Sequence, residues 1–434
     1  DWRLGSFYTG NYPTKITFFE ERLFYAGTTQ QPSTVFSSMS ADFDKFSPTA
    51  KNGDVADDNA LQFTIVSDQV NQITGLYGGK FLAIFTKNGA FNMSSGSATQ
   101  GITPTTIQVT NETNDGAADK KVSPASKSVL FIGKNKKRLR EFAYNIDYDS
   151  FTTPDMTVLS EHLGYGLLEE CAFANYPNNV LWVRRGDGVL LGFTYYRDQD
   201  VTAWHRHTIA GTNAKVKSIA VIPGIDDAFD TLYMIVERTI NGATKQYVEF
   251  LEDDYREADG DTKDDQFYVD SGLTYSGGST SSISGLDHLE GQTVAVLNNG
   301  AVEANKTVSS GAITLTNATT KCHVGLPFTA ELESVNVEPK SQYGTTQGKR
   351  GRIDKAIFRL FETVGLKAGP SSSSVDVVPF RTTTSTMSAT SPKTGDYTFL
   401  MPATYTTENK LYVKSDTAQA CTISAIMIQM STYS

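Results

Sequence analysis

A single hairpin pattern recurs through the first 255 residues, and it restricts the folds open to this chain more than any other feature. Phe81-Leu82-Ala83-Ile84-Phe85 runs into a Lys87-Asn88-Gly89 turn and returns through Ala90-Phe91-Asn92-Met93. The pattern comes back at Val129-Leu130-Phe131-Ile132 with a turn from Lys134 to Lys137, and at Val180-Leu181-Trp182-Val183 with a Gly186-Asp187-Gly188 turn. A fourth copy, Leu232 to Val236, turns at Asn241-Gly242 and returns through Tyr247 to Leu251. The strand starts lie 48, 51 and 52 residues apart. A period in that range predicts propeller-like blades, each unable to bury its apolar face alone. Lys15 to Ser38 makes a fifth hairpin, and a strand from further upstream would complete a sixth.

Twenty Tyr, 24 Phe and 35 Gly in 434 residues favour strands and turns over helices. The fold class expected is therefore all-β: a propeller-like platform of repeated hairpins, a small barrel-like insert and a C-terminal sandwich. The platform is expected over residues 1–255, where the period ends and the acidic run Asp259 to Asp265 begins. A linker and small β insert follow over 256–325, carrying the Asn298-Asn299-Gly300 hairpin signal. Residues 326–434 are read as the sandwich, with strands at Lys355 to Leu360 and Thr422 to Met430. Met156 to Leu168 is the one stretch that reads as a helix, opening after Pro154-Asp155 and limited by Gly164 and Gly166. No run is long and apolar enough for a transmembrane helix. The chain opens at Asp1-Trp2 without Met, which suggests that an N-terminal portion precedes it.

Candidate chemistry is sparse. Cys171, Cys322 and Cys421 are far apart and form no ligand cluster, so free thiols from a reducing cytosol are expected, with neither disulfide framework nor zinc. His205 and His207 share a strand face within Trp204-His205-Arg206-His207, but no third metal ligand accompanies them, and structural packing is the expectation. The acidic pairs Asp57-Asp58, Glu169-Glu170, Asp226-Asp227, Asp253-Asp254 and Asp264-Asp265 are adjacent in sequence. Strand neighbours point to opposite faces, so adjacency does not supply the separation a glycosidase needs. No catalytic, cofactor-binding or metal residue is assigned, and no cofactor is expected. The densest positive patch is Lys134, Lys136, Lys137, Arg138 and Arg140, and a second is Lys349, Arg350 and Arg352. A solvated hairpin tip is the plainest reading of each; contact with a neighbouring subunit or DNA is the alternative. A net charge of −10 argues against tight nonspecific nucleic-acid binding.

Several segments in order, from residue 12 to about 360, resemble one family. They are Phe18 to Gly27, Gln31 to Val35, Asp42-Phe43 with Phe46, Phe85 to Gly89, Leu159 to Leu163, Asp187 to Leu190, Thr194 to Tyr196, Trp204 to His207 and Gly285 to Val294. The set resembles the tail nozzle proteins of short-tailed bacteriophages, also called tail tubular protein B. The resemblance implies a structural virion protein with no enzymatic role, assembled in the host cytoplasm as a homohexamer. It implies as partners the tail adaptor ring below the portal, tail fibres or spikes, and the genomic DNA that leaves through the ring. Family members are longer at the N-terminus than this chain. If a ring forms, some acidic pairs are expected to line its lumen, where repulsion of phosphate keeps DNA passage low in friction. The stretch from His288 to Leu315 also resembles a half-domain named after a ubiquitin-activating enzyme, whose chemistry does not transfer. The alternatives are a carbohydrate-binding propeller module of a phage or bacterial surface, and a glycan-degrading propeller enzyme.

Overall fold

The computed structural model describes residues 7–66, 71–96, 100–224, 229–339, 345–380 and 389–432. Asp1-Trp2, Val70, Asp226-Asp227 and most of the Thr382 to Thr390 stretch lie outside the described residues.

The hairpins at Phe81, Val129 and Val180 are the middle pairs of four-stranded antiparallel sheets, and the other two lie in sheets of their own. The first blade is β1 (Lys15–Phe19), β2 (Arg22–Ala26), β3 (Thr34–Ser37) and β4 (Gln62–Thr64), in that order. The second is β5 (Ile73–Gly78), β6 (Leu82–Thr86), β7 (Ala90–Ser94) and β8 (Gln108–Thr113). The third is β9 (Ser123–Ala125), β10 (Ser128–Ile132), β11 (Leu139–Asn145) and β12 (Ser150–Thr152). The fourth is β13 (Leu168–Ala174), β14 (Val180–Arg185), β15 (Leu190–Tyr196) and β16 (Val201–His207). A three-stranded sheet follows: β17 (Lys215–Pro223), β18 (Asp230–Ile240) and β19 (Ala243–Phe250). Strands covered on both faces are near-continuously apolar, which is why Leu82 to Phe85 and Val129 to Ile132 are buried throughout. Blades one and two share a core built on Phe24, Val35, Ile73, Ile84 and Met93. Phe85, Phe131 and Phe142 join blades two and three, and Leu130, Leu163, Leu181 and Phe193 join three and four.

Residues 156–168 are not a helix. The segment holds only a short 3-10 turn, Glu161–Gly166, before β13 begins. Tertiary packing overrides the local pattern: Gly164 lies against the Lys137 carbonyl, Gly166 against the Arg185 guanidinium, and Leu167 takes a φ of 60°.

The chain divides into two compact units, Asp1–His207 with Val216–Met234, and Thr208–Lys215 with Ile235–Ser434. The division falls inside β18. The second unit contains a small barrel-like sheet of β20 (Asp270–Ser284), β21 (Thr293–Asn298), β22 (Ala301–Thr307) and β23 (Ala312–Leu326), ordered β20-β23-β21-β22. Register shifts between Ser276 and Ser282 interrupt its long β20–β23 pairing, and Leu286, Leu289, Val296 and Val324 fill its core. Next come β24 (Ala330–Glu333), β25 (Gly351–Thr363), β26 (Lys367–Ser371), β27 (Ser374–Val377), β28 (Lys393–Leu400), β29 (Tyr412–Ser415) and β30 (Thr422–Thr432). They form a sandwich of two sheets, β24-β29-β26-β27 and β28-β25-β30, around Phe358, Leu360, Leu411 and Val413.

Candidate functional site: the charged turns at the blade joints

The basic patch from Lys134 to Arg140 occupies the turn between β10 and β11 and the start of β11. Most of its charge is answered inside the chain. Lys136 Nζ lies 3.0 Å from Glu169 of blade four, and Lys120 reaches the same carboxylate at 2.6 Å. Arg138 pairs with Asp155 at 2.8 Å and Glu161 at 3.2 Å, both in the connection to blade four. Arg140 pairs with Asp115 at 2.8 Å and donates to the Thr153 carbonyl at 2.7 Å. The bonds from Lys120 and Lys136 outweigh burial and hold the Glu169 carboxyl below the usual range. Lys134 donates to the neutral Asn88 side chain at 2.6 Å, and Lys137 is exposed with no carboxylate partner among the described residues. The patch therefore serves mainly as an electrostatic staple between sheets.

The backbone repeats the same stapling. Ala117 N donates to the Thr86 carbonyl and Lys134 N to the Gly116 carbonyl, so the connection between blades two and three binds the turns of both. Between blades three and four, Leu168 N donates to Lys136 and Gly186 N to Gly166. Val216 N then donates to Gly188. Gly116 and Gly164 take equivalent places, each pressed on a lysine carbonyl (Lys87 and Lys137) where a Cβ would collide. The glycine at this spot is a second periodic signal, carried by the connections, that a search for apolar runs does not find.

Arg22, from the Phe18-to-Gly27 segment, is 2% exposed. Its guanidinium donates to the carbonyls of Asp57 at 2.7 Å, Asn59 at 2.6 Å and Ser38 at 3.1 Å, so it clamps the long loop that leads to β4. Beside it, Glu20 and Glu21 form the β1–β2 turn with φ of 44° and 56°, a conformation that costs non-glycine residues energy. Glu20 Oε2 accepts from Ile102 N at 2.6 Å, which holds that turn. A pocket of about 260 Å³ on blade one is lined by Phe7, Phe36, Phe46 and Leu61. Its Ser37 hydroxyl already donates to the Ser38 carbonyl and accepts from Leu61 N.

His205 and His207 do meet: Nδ1 of the first lies 2.7 Å from Nε2 of the second, one ring nitrogen donating and the other accepting. Trp182 packs edge-on to both rings, and Thr194 Oγ1 sits 3.3 Å from His205 Nε2. Gly192 opposite leaves room for the His205 ring. Burial first, then the neighbouring His205, pushes His207 down to about 4, while burial alone lowers His205. Two neutral imidazoles sharing one hydrogen bond suit packing, and no group of three metal-ligating side chains occurs among the described residues.

The acidic pairs separate. Glu169 takes Lys120 and Lys136, whereas Glu170 takes Arg184 at 3.1 Å and the Ser218 hydroxyl at 3.0 Å. Asp265 pairs with Lys321 and is held down to about 2, burial being outweighed by that bond and by Thr262. Asp57, Asp58, Asp253 and Asp254 are exposed. In the second basic patch Arg352 pairs with Asp354 at 2.6 Å and lies over the Tyr405 ring, while Lys349 and Arg350 are exposed. Cys171 and Cys322 are buried free thiols and Cys421 is half-buried; burial pushes Cys322 up to about 12 and Cys421 up to about 11.

No protein-family model matches the sequence, and no curated protein matches it. Among solved structures, the β-propeller domain of Cps50 (Swd1) from Myceliophteria thermophila is similar at 9% identity and a TM-score of 0.33, over 55% of this chain and 73% of its own. The Dos1 propeller is similar at 12% identity and a TM-score of 0.33, over 73% of this chain and 80% of its own. An exo-beta-1,3-galactanase from Phanerochaete chrysosporium, solved with beta-1,3-galactotriose, is similar at 9% identity and a TM-score of 0.27, over 96% and 95%. At such scores the propeller-like description rests on the sheets of this chain itself.

Proposed function

We propose that the chain is a structural, non-enzymatic subunit of the tail nozzle of a short-tailed bacteriophage, placed in a homohexameric ring through which DNA leaves below the adaptor and portal. One observation carries this reading: segments that bear the resemblance fall on the joints of the blade array. Glu20 of blade one accepts from Ile102 N of blade two, Thr86 to Gly89 is the turn bound by the next connection, and Leu159 to Leu163 is the connection between blades three and four. Gly188 receives Val216 at the entry to the fifth sheet. Residues used this way hold a platform rigid, which is what a conduit needs of its wall. Electron microscopy of virions labelled with an antibody to this chain tests the reading. Label at the distal end of the tail supports it, and virions that carry none there rule it out.

A second reading is a carbohydrate-binding propeller module. The observation behind it is the exposed tip of the β11–β12 hairpin, where Tyr144, Ile146 and Tyr148 stand in solvent and could stack on sugar rings. A glycan array separates the two: saturable binding lost in Tyr148→Ala supports the module, and no binding removes it.

A further inference from the structure

The sheets of the C-terminal sandwich end in edges of unequal character. β24 carries Glu331 and Glu333, β27 carries Asp376, and β28 carries Lys393 and Asp396. The edge strand β22 of the barrel-like sheet likewise carries Glu303 and Lys306. Charges on an edge keep further strands from adding to it, because pairing would bury or oppose them. β30 lacks this protection. Its eleven residues, Thr422–Thr432, pair with β25 on one side and, among the described residues, with no strand on the other. They include no Lys, Arg, Asp or Glu, no Pro and no Gly. A long, uncharged edge strand of this kind is a template for pairing.

The flank of the core beside β30 is open as well. On β25, Ala356, Phe358 and Leu360 face the sandwich core and are buried. Their cross-strand neighbours on β30 are Ile428, Ile426 and Ile423, which pack against the same core yet stay half-buried. Met430, opposite the buried Ile353, is half-buried too. On the other face of the sheet Met427 is 38% exposed. One more strand along β30 would engage its free backbone groups and shield this apolar row at the same time.

We propose that the added strand is β30 of a second copy, paired antiparallel about a two-fold axis, so that the sheet β28-β25-β30 continues into β30-β25-β28 of the partner. The occupant has to be extended, uncharged and apolar at alternate positions, and β30 itself meets each requirement. A two-fold axis normal to the sheet keeps every side chain on its own face. The four half-buried side chains of each copy then close the open flank of the other. No like charges are opposed, because neither strand carries any. The contact is isologous and does not rest on the nozzle reading: neighbours around a ring meet through two different surfaces, and a two-fold pair does not generate one.

Sedimentation equilibrium of the full chain tests it, with Met427→Lys and Met427→Glu as variants. Met427 stands at the middle of β30 and faces away from the core, so neither change disturbs the packing beneath. Wild type is expected to form dimers. In either variant alone two like charges meet near the axis, and the dimer dissociation constant is expected to rise at least about ten-fold. Mixing the two variants restores dimers of one lysine and one glutamate chain, which misfolded chains would not form. A wild type that is monomeric at every concentration overturns the pairing. So does association that neither variant weakens, whether in dimers or in larger rings. Rings that persist in both variants leave the nozzle reading standing, and absence of label from virion tails removes that reading without touching the β30 contact.

Discussion

The two units solve the same problem by different means. The blade array is built from sheets whose strands follow one another in sequence, each meander closed locally and then fastened to the next by charged turns and close-packed glycines. The second unit interleaves its strands: β24 pairs with β29, β25 with β28 and β30, and β20 with β23. The most buried charge among its described residues, Arg238, is fully enclosed, with its fork on Glu249 and its Nε donating to the Ala210 carbonyl at 2.7 Å. Among the described residues the ion pairs at the array's joints stay in partial contact with solvent, whereas the second unit encloses Arg238 with its partner. Half-exposed pairs contribute little each and tolerate loss, while a buried charge stripped of its partner is severely destabilising.

The largest expected effect breaks that contrast most directly. Glu249→Ala strips the buried Arg238 of the carboxylate its fork engages, leaving Asp270 as a nearby acid, and should destabilise the second unit by about 3 kcal/mol, read as a shift in chemical denaturation. Lys136→Ala, in the array, should cost at most about 1 kcal/mol. Equal losses for the two would show that exposure does not govern their worth. Next in size, Gly116→Ala and Gly164→Ala should each cost about 1–3 kcal/mol, because the added Cβ meets a lysine carbonyl. Similar costs at these two positions would sharpen the claim that the joints are equivalent, and a neutral result at either would remove it.

Acid should act on the array through the histidine pair. His207 titrates near 4 in the folded chain against 6.5 for an unhindered imidazole, so the fold favours its neutral form. Its contribution is present above about pH 6.5 and is lost as pH falls through about 4, on the order of 3 kcal/mol in all. Thermal melts of wild type and His207→Gln over that window check the sign: the variant should show the shallower decline. The smallest effect is a gain. Glu21→Gly relieves a left-handed residue in the β1–β2 turn and should stabilise blade one by about 0.5 kcal/mol, the relief being partly offset by glycine's extra chain entropy. A loss of stability in the same melts would show that Glu21 makes a contact worth more than its strain.

The array was largely legible before any coordinates. The hairpin at Phe81 to Met93 is the β6–β7 pair, those at Val129 and Val180 are likewise central pairs of their sheets, and the one at Leu232 joins central β18 to the edge strand β19. Tight hairpins announce themselves through turn residues flanked by apolar runs, so the signal is local. The Met156-to-Leu168 segment misled because Pro154-Asp155 offers a helix start, while the carbonyl of Lys137 and the side chain of Arg185 fix its backbone from outside. The basic turn was visible as five cations, but its partners Asp115, Asp155, Glu161 and Glu169 come from other segments, which no local pattern announces.

By itself the sequence determined the all-β character, the fifty-residue unit and the hairpins at its centre. These follow from alternation and turn chemistry within a few residues, where chain connectivity guarantees that the partners meet. Only the tertiary structure decided which carboxylates answer the basic turn, that His205 and His207 share a hydrogen bond, and that β30 completes a sheet with β25 some seventy residues away. Those pairings depend on segments brought together by burial of apolar faces, which is non-directional and leaves no mark at the residues it joins.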